Sequence, residues 1–230
     1  MALEVYVGPL ARYYAGDWEN TARKAVRRGR APQSQPRRQL DVERFRRGVL
    51  AWRDDLSASL GGNIAVPLDW DERANAPYFS GRPGWDGFGS LVLWAAYHEH
   101  PQLARPASLP EEWDNDPALV RSNAEGFRSR YSHLVRNVEL WLPVAFAFTF
   151  EGEDVDGRRV VIGSAATLSR QLAELNEETW KRSESDVASW ARRAPAVSAA
   201  LEARARFAFA VFNRLVHLAV EHRLPMKLDF

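Results

Sequence analysis

Hydrophobic residues recur along the chain at a few spacings, and each spacing predicts an element. Leu3, Val5 and Val7 alternate with Glu4 and Tyr6 ahead of Gly8-Pro9, which predicts a half-buried strand closed by a turn. Asp17 is placed to cap a polar helix over about 18–28. Val42, Phe45, Val49, Trp52, Leu56 and Leu60 step by three and four, with Arg46, Arg47, Arg53 and Asp54 opposite. That pattern predicts an amphipathic helix capped by Asp41 and stopped at Gly61-Gly62, with Ile64–Leu68 extended beyond it. Leu91–Tyr97 is seven residues without a charge, apolar on every side, and predicts a central buried helix with Asp86 at its cap.

The second half reads in the same way. Asp116-Pro117 predicts a helix start near Ala118–Asn123, and another helix is expected over 132–140. Phe146, Phe148 and Phe150 alternate with Ala145, Ala147 and Thr149, Arg159–Gly163 is β-branched, and Gly152 and Asp156-Gly157 lie between. Together they predict an antiparallel hairpin across 144–163. Ser164 or Thr167 opens a helix carrying Leu168, Leu172 and Leu175, and Ser183 opens one carrying Val187 and Trp190. Pro195 opens the last helix, to about His222, striped with Val197, Leu201, Ala205, Ala208, Phe212, Leu215 and Ala219 and spanning about 40 Å. The expected fold is α+β: a mainly helical single domain over 1–230, with a small antiparallel sheet of the N-terminal strand plus the 144–163 hairpin packed on helices.

Composition changes this picture in two places. The chain has 230 residues, 46% hydrophobic, with nine Trp and eleven Phe, enough to fill one core. No apolar run reaches eighteen residues, so no membrane partner is expected, and MALEVYVGPL lacks the charge-then-apolar pattern of a secretory signal. Zero Cys excludes disulfides, thiolate nucleophiles and Cys-based zinc sites, and with the preceding points sets the expectation of a cytoplasmic protein. Net charge is +1, yet 23–47 carries about +8 and the remainder about −7. Arg outnumbers Lys 28 to 3 along the whole chain, which fits the composition of a GC-rich genome with its high Ala better than a dedicated phosphate-binding face. Residues 29–40 read as a mobile basic loop without interleaved aromatics, which weighs against nucleic acid and for an acidic protein surface or solvent.

Candidate chemistry is sparse. Asp69-Trp70-Asp71-Glu72 lacks the glycine and terminal Glu of a calcium loop and reads as a solvated acidic turn. His98 and His100 point about 200° apart on a helix, and no His-Glu-x-x-His occurs, so neither metal nor cofactor is expected. Gly-x-Ser-x-Gly is absent, and the glycines at 84, 87 and 89 are in the wrong order for a dinucleotide fingerprint. Residues 101–117 form a Pro-rich acidic connector, a candidate lid or subdomain boundary. The best binding candidates are aromatics and carboxylates on loops: Tyr13, Tyr14, Asp17, Trp18, Trp70, Tyr78, Phe79, Trp85 and Asp86.

The opening Leu3-Glu4-Val5-Tyr6-Val7-Gly8, with Arg12-Tyr13-Tyr14 and Asp17-Trp18 behind it, resembles the start of a group of uncharacterised bacterial proteins. Gly84-Trp85-Asp86-Gly87, Ile162-Gly163-Ser164 and Leu175-Asn176 follow in the same order. The general look, Trp-rich and without catalytic motifs, is similar to immunity proteins of bacterial toxin–antitoxin systems. That likeness implies a non-enzymatic protein-binding module whose partner is a toxin. The alternative is a small-ligand binder or hydrolase with a pocket between residues 13–19 and 78–86.

Overall fold

The alternation at the N-terminus does produce a strand, β1 (Glu4–Val7), but all four of its residues are buried rather than half of them. The computed structural model, which describes residues 3–18, 36–196 and 198–230 and only the backbone over 36–41, shows why. β1 lies inside a six-stranded mixed sheet covered on both faces. The remaining elements are α1 (Leu10–Tyr14), α2 (Pro36–Leu60), β2 (Phe79–Gly81), α3 (Trp85–Glu99), α4 (Pro117–Ser122), α5 (Ser132–Val135) and β3 (Val138–Leu142). They continue with β4 (Phe150–Glu153), β5 (Arg159–Ser164), α6 (Ala165–Glu178), α7 (Glu184–Trp190), α8 (Leu201–Glu221) and β6 (Met226–Asp229).

The sheet order is β2-β1-β6-β3-β5-β4, with β3 and β5 parallel and the other neighbours antiparallel. The α+β class therefore holds, while the small antiparallel sheet is replaced by a larger mixed one. One face of the sheet, with Leu3, Val5, Val7, Val138, Trp141, Met226 and Leu228, packs on α3, α6 and α8. The other, with Leu140, Leu142, Val160 and Ile162, packs on α1, α2 and Trp70. Burying apolar residues on both faces makes three layers, with the uncharged Leu91–Tyr97 segment of α3 wholly buried beside α8.

Several expected boundaries move, each for a physical reason. α2 begins at Pro36, so 36–40 of the expected basic loop is helical and Asp41 sits inside the helix instead of capping it; 29–35, all but Trp18 of the helix expected over 18–28, and Val197 lie outside the described residues. Of the 144–163 hairpin, only 150–153 and 159–164 pair, because in this register 144–147 would face residues beyond Ser164, where the chain has turned into α6. The helix expected over 132–140 stops at Val135 and becomes β3. α8 starts at Leu201, not Pro195, with the Leu201 N–H bonded to the Ala107 carbonyl of the connector at 2.9 Å. At 21 residues it spans about 30 Å.

Caps formed as expected at three helices. Asp116 accepts from Ala118 N–H at 2.8 Å with Pro117 next to it, Ser164 accepts from Thr167 N–H at 3.1 Å, and Ser183 from Asp186 N–H at 3.2 Å. Asp86 does not cap α3; Gly84 occupies that position and Asp86 pairs with Arg204 at 3.0 Å.

The 101–117 connector is pinned by Trp113, whose indole lies where a β-carbon on Gly89 would be, at 2.6 Å. Gly89→Ala is expected to lower stability by about 1–3 kcal/mol in urea unfolding, with a change in Trp fluorescence, because backbone or indole must move. Gly48→Ala, inside α2 with open space around it, is expected to raise stability by about 0.5–1 kcal/mol in the same measurement.

Candidate functional site

Period-two alternation in β1 and β6 sends Leu3, Val5, Val7, Met226 and Leu228 to the α3 and α8 side, and turns Glu4, Tyr6, Lys227 and Asp229 to the α1 side. Register sets Tyr6 opposite Lys227 and Glu4 opposite Asp229. A polar patch thus interrupts a face that is apolar at β3 and β5. α1 is laid over this patch by a distant carboxylate. Glu72, 3% exposed, accepts the N–H groups of Leu10 and Ala11 at 2.8 Å each and the indole N–H of Trp70. Burial pushes its carboxyl upward, and these donors act against that shift. The acidic turn expected to be solvated therefore fixes the first turn of α1, and Trp70, 5% exposed, is a core residue rather than a contact residue.

Around the buried Tyr6 ring lie the rings of Trp18 at 5.0 Å, Tyr13 at 5.3 Å and Tyr78 at 6.2 Å. Tyr13 also stacks on Trp18 at 5.8 Å and meets the edge of Tyr14 at 5.1 Å. Gly8 permits this approach: a β-carbon there would stand 2.6 Å from the Tyr6 hydroxyl and 2.7 Å from Tyr78. Arg12 lies 4.9 Å above the Tyr78 ring, donates to the carbonyls of Ala74 and Ala76, and faces Asp17 at 3.6 Å. The structure thus brings together Tyr13, Tyr14, Asp17, Trp18 and Tyr78. It sets the other candidates apart: Trp85 packs on Phe88 and Phe230, Asp86 on Arg204, and Phe79 on His222 at 5.2 Å.

Beneath α1 is a buried ion pair, Lys227 to Asp154 at 3.1 Å, its side chains 5% and 4% exposed. The Lys227 ammonium lies 5.6 Å from the Tyr13 ring and 5.9 Å from the Tyr14 ring. Burial lowers the lysine's pKa and Asp154 holds against that shift. Asp154 is itself fixed by N–H groups of Asp156 and Arg158 at the hairpin turn. Tyr13 donates to Asp229 at 2.9 Å, and burial with the neighbouring carboxylates drives both tyrosine hydroxyls well above their ordinary range. Lys227 with Asp154 and Tyr13 with Asp229 are thus paired beneath α1, and the two tyrosines stay protonated at neutral pH. What remains half-exposed is the outer ring-and-charge surface of Arg12, Tyr13, Tyr14, Asp17, Trp18 and Tyr78.

Sequence reasoning missed Lys227, Asp154, Asp229 and Glu72. One signal for Lys227 was present: it is one of three lysines and alternates with Met226 and Leu228. His98 and His100 are engaged with neighbouring side chains. His98 meets the Tyr131 hydroxyl at 2.9 Å and Glu178 at 3.2 Å, while His100 meets Ser122 at 3.2 Å. Among the described residues no group of His, Asp or Glu gathers as metal ligands, and no helix is long and apolar enough to cross a membrane. No protein-family model matches the chain, and neither the curated proteins nor the solved structures contain a significant match.

Two predictions follow from the buried charges. Asp154→Ala leaves Lys227 uncompensated and is expected to cost about 3–5 kcal/mol in urea unfolding, whereas Lys227→Met with Asp154→Leu recovers most of that loss. His133, fully buried between β3, β5 and α6, accepts the Ser164 N–H through Nδ1 at 2.8 Å; burial lowers its pKa from 6.5 to about 4, with Arg136 and Arg170 adding to the shift. Because the folded value lies below the unfolded one, the contribution is complete above pH 6.5 and is lost as pH falls toward 4, about 3 kcal/mol in all. Unfolding free energies measured across that window should show the loss, and His133→Gln should flatten it.

Proposed function

We propose that the chain is a non-enzymatic protein-binding module that contacts its partner through the surface around Tyr6, and that the partner is a protein toxin it neutralises. The observation that carries the reading is the gathering of Arg12, Tyr13, Tyr14, Asp17, Trp18 and Tyr78 around one buried ring. Tyrosine, tryptophan and arginine are the residues that dominate binding energy at protein interfaces. Here they are already immobilised by ring stacking and by the Arg12 bonds to Ala74 and Ala76, so little side-chain entropy is left to lose on association. The similarity to immunity proteins supplies the toxin as the partner class. The interior groups support binding over catalysis, since Lys227, Asp154, Tyr13 and Asp229 are engaged with one another.

A photo-crosslinking amino acid placed at Trp18 or at Tyr78 in intact cells is expected to trap the same single protein. The same probe at Val120, 55% exposed on α4 across the sheet, should trap none of it. Tyr78→Ala should reduce the yield from position 18 at least tenfold. The trapped protein, expressed alone, is expected to arrest growth, with co-expression of this chain restoring it. Equal trapping at Val120, or none at the two ring positions, would overturn the reading.

A further inference from the structure

Among the described residues β4 is the last strand of the sheet, and its hydrogen-bond parity shows what its outer side offers. At the hairpin end Asp154 N–H donates to the Arg158 carbonyl at 2.9 Å. Bonded and non-bonded pairs alternate along an antiparallel ladder, so Gly152 with Val160 and Phe150 with Ile162 are the bonded pairs. Glu151 and Glu153 therefore turn their backbone groups outward. The Glu153 carbonyl accepts from the Trp52 indole at 2.7 Å; by the same parity the Glu151 N–H and carbonyl and the Glu153 N–H lie outside the β4–β5 ladder. At the opposite edge of the sheet, Arg214 donates to the Ser80 carbonyl of β2 at 3.1 Å.

The two sides of this edge differ. On the side of Glu151 and its partner Val161 lies a recess of about 390 Å³, walled by Glu125, Gly126, Arg136 and Thr149. Its one arginine is committed, donating to the Phe127 carbonyl at 2.8 Å. Glu151 and Glu153 are exposed there; Arg159 faces Glu151 at 4.0 Å with 84% of its own side chain in solvent. On the other side Phe146, Phe148 and Phe150 stand in mutual ring contact at 5.1–6.1 Å, Phe148 36% exposed.

We propose that the β4 edge takes up an extended segment of a partner protein in which basic and apolar residues alternate, added to the sheet as a seventh strand. The Glu151 N–H and carbonyl and the Glu153 N–H supply the ladder, the Glu153 carbonyl staying with the Trp52 indole; the glutamates receive the basic side chains, and Phe148 and Phe150 receive the apolar ones. A second copy of this chain fits poorly. Any antiparallel pairing of β4 with itself that engages both outward residues sets glutamate opposite glutamate. This edge uses none of the outer residues Arg12, Tyr13, Tyr14, Asp17, Trp18 and Tyr78, and its test does not depend on that reading.

The test titrates the full chain, isotope-labelled, with a short synthetic peptide alternating Lys and Val. Backbone resonances of 149–153 are expected to shift. The peptide with Glu in place of Lys should bind at least tenfold more weakly. N-methylation of one alternate set of peptide amides should abolish binding while methylation of the other set is tolerated, as a strand with one bonded edge requires. The variant Glu151→Lys with Glu153→Lys, checked for an unchanged melting profile, should reverse the preference between the two peptides. Absence of binding, equal tolerance of both methylation patterns, shifts confined to other residues, or a concentration-dependent dimer abolished by those two substitutions would each overturn the proposal.

Discussion

The sheet depends on the insertion of β6 between β1 and β3. Without that strand the ladder falls into two pieces, β2 with β1 and β3 with β5 and β4, since among the described residues β6 carries the hydrogen bonds joining them. Four residues thereby hold two remote strands, pairing Leu228 with Val5 and Lys227 with Leu140. The same residues divide their side chains between the two layers, Met226 and Leu228 into the α3 and α8 core, Lys227 and Asp229 toward α1.

That division explains the buried charge. A one-residue slip of β6 would carry Lys227 and Asp229 into the apolar layer and Met226 and Leu228 into the polar one. The Lys227–Asp154 pair penalises the slip, because the ammonium has its counter-ion in one register only. The patch beneath α1 is thus tied to the alignment of the central strands, and the outer rings inherit their positions from it through Tyr6 and Tyr13.

Where element identity is local, the sequence was readable. Ser164, Ser183 and Asp116-Pro117 cap the helices their spacing implies, and Leu91–Tyr97 is buried as its lack of charge requires. The strands β3 and β6 were not readable, since Val138–Leu142 and Met226–Asp229 are short, each contains a charge, and their partners are remote. The alternating phenylalanines before Phe150 misled for the converse reason: alternation states which side chains share a face and says nothing of whether a neighbour strand exists. At the candidate site, Tyr13, Tyr14, Asp17, Trp18 and Tyr78 were legible as aromatic and charged loop residues. Glu72 was not, because its partners at Leu10 and Ala11 lie 61–62 positions away and turn an apparently solvated carboxylate into a buried helix anchor.

The central place of β6 also bears on synthesis. While a ribosome is still adding residues before 226, the helical layer of α3 and α8 can collapse, but the first strand has its neighbour on only one side. The nascent chain must hold β1 with one edge open until residues 226–229 have left the ribosome, and that interval is when it is most exposed to chaperones and to misassociation.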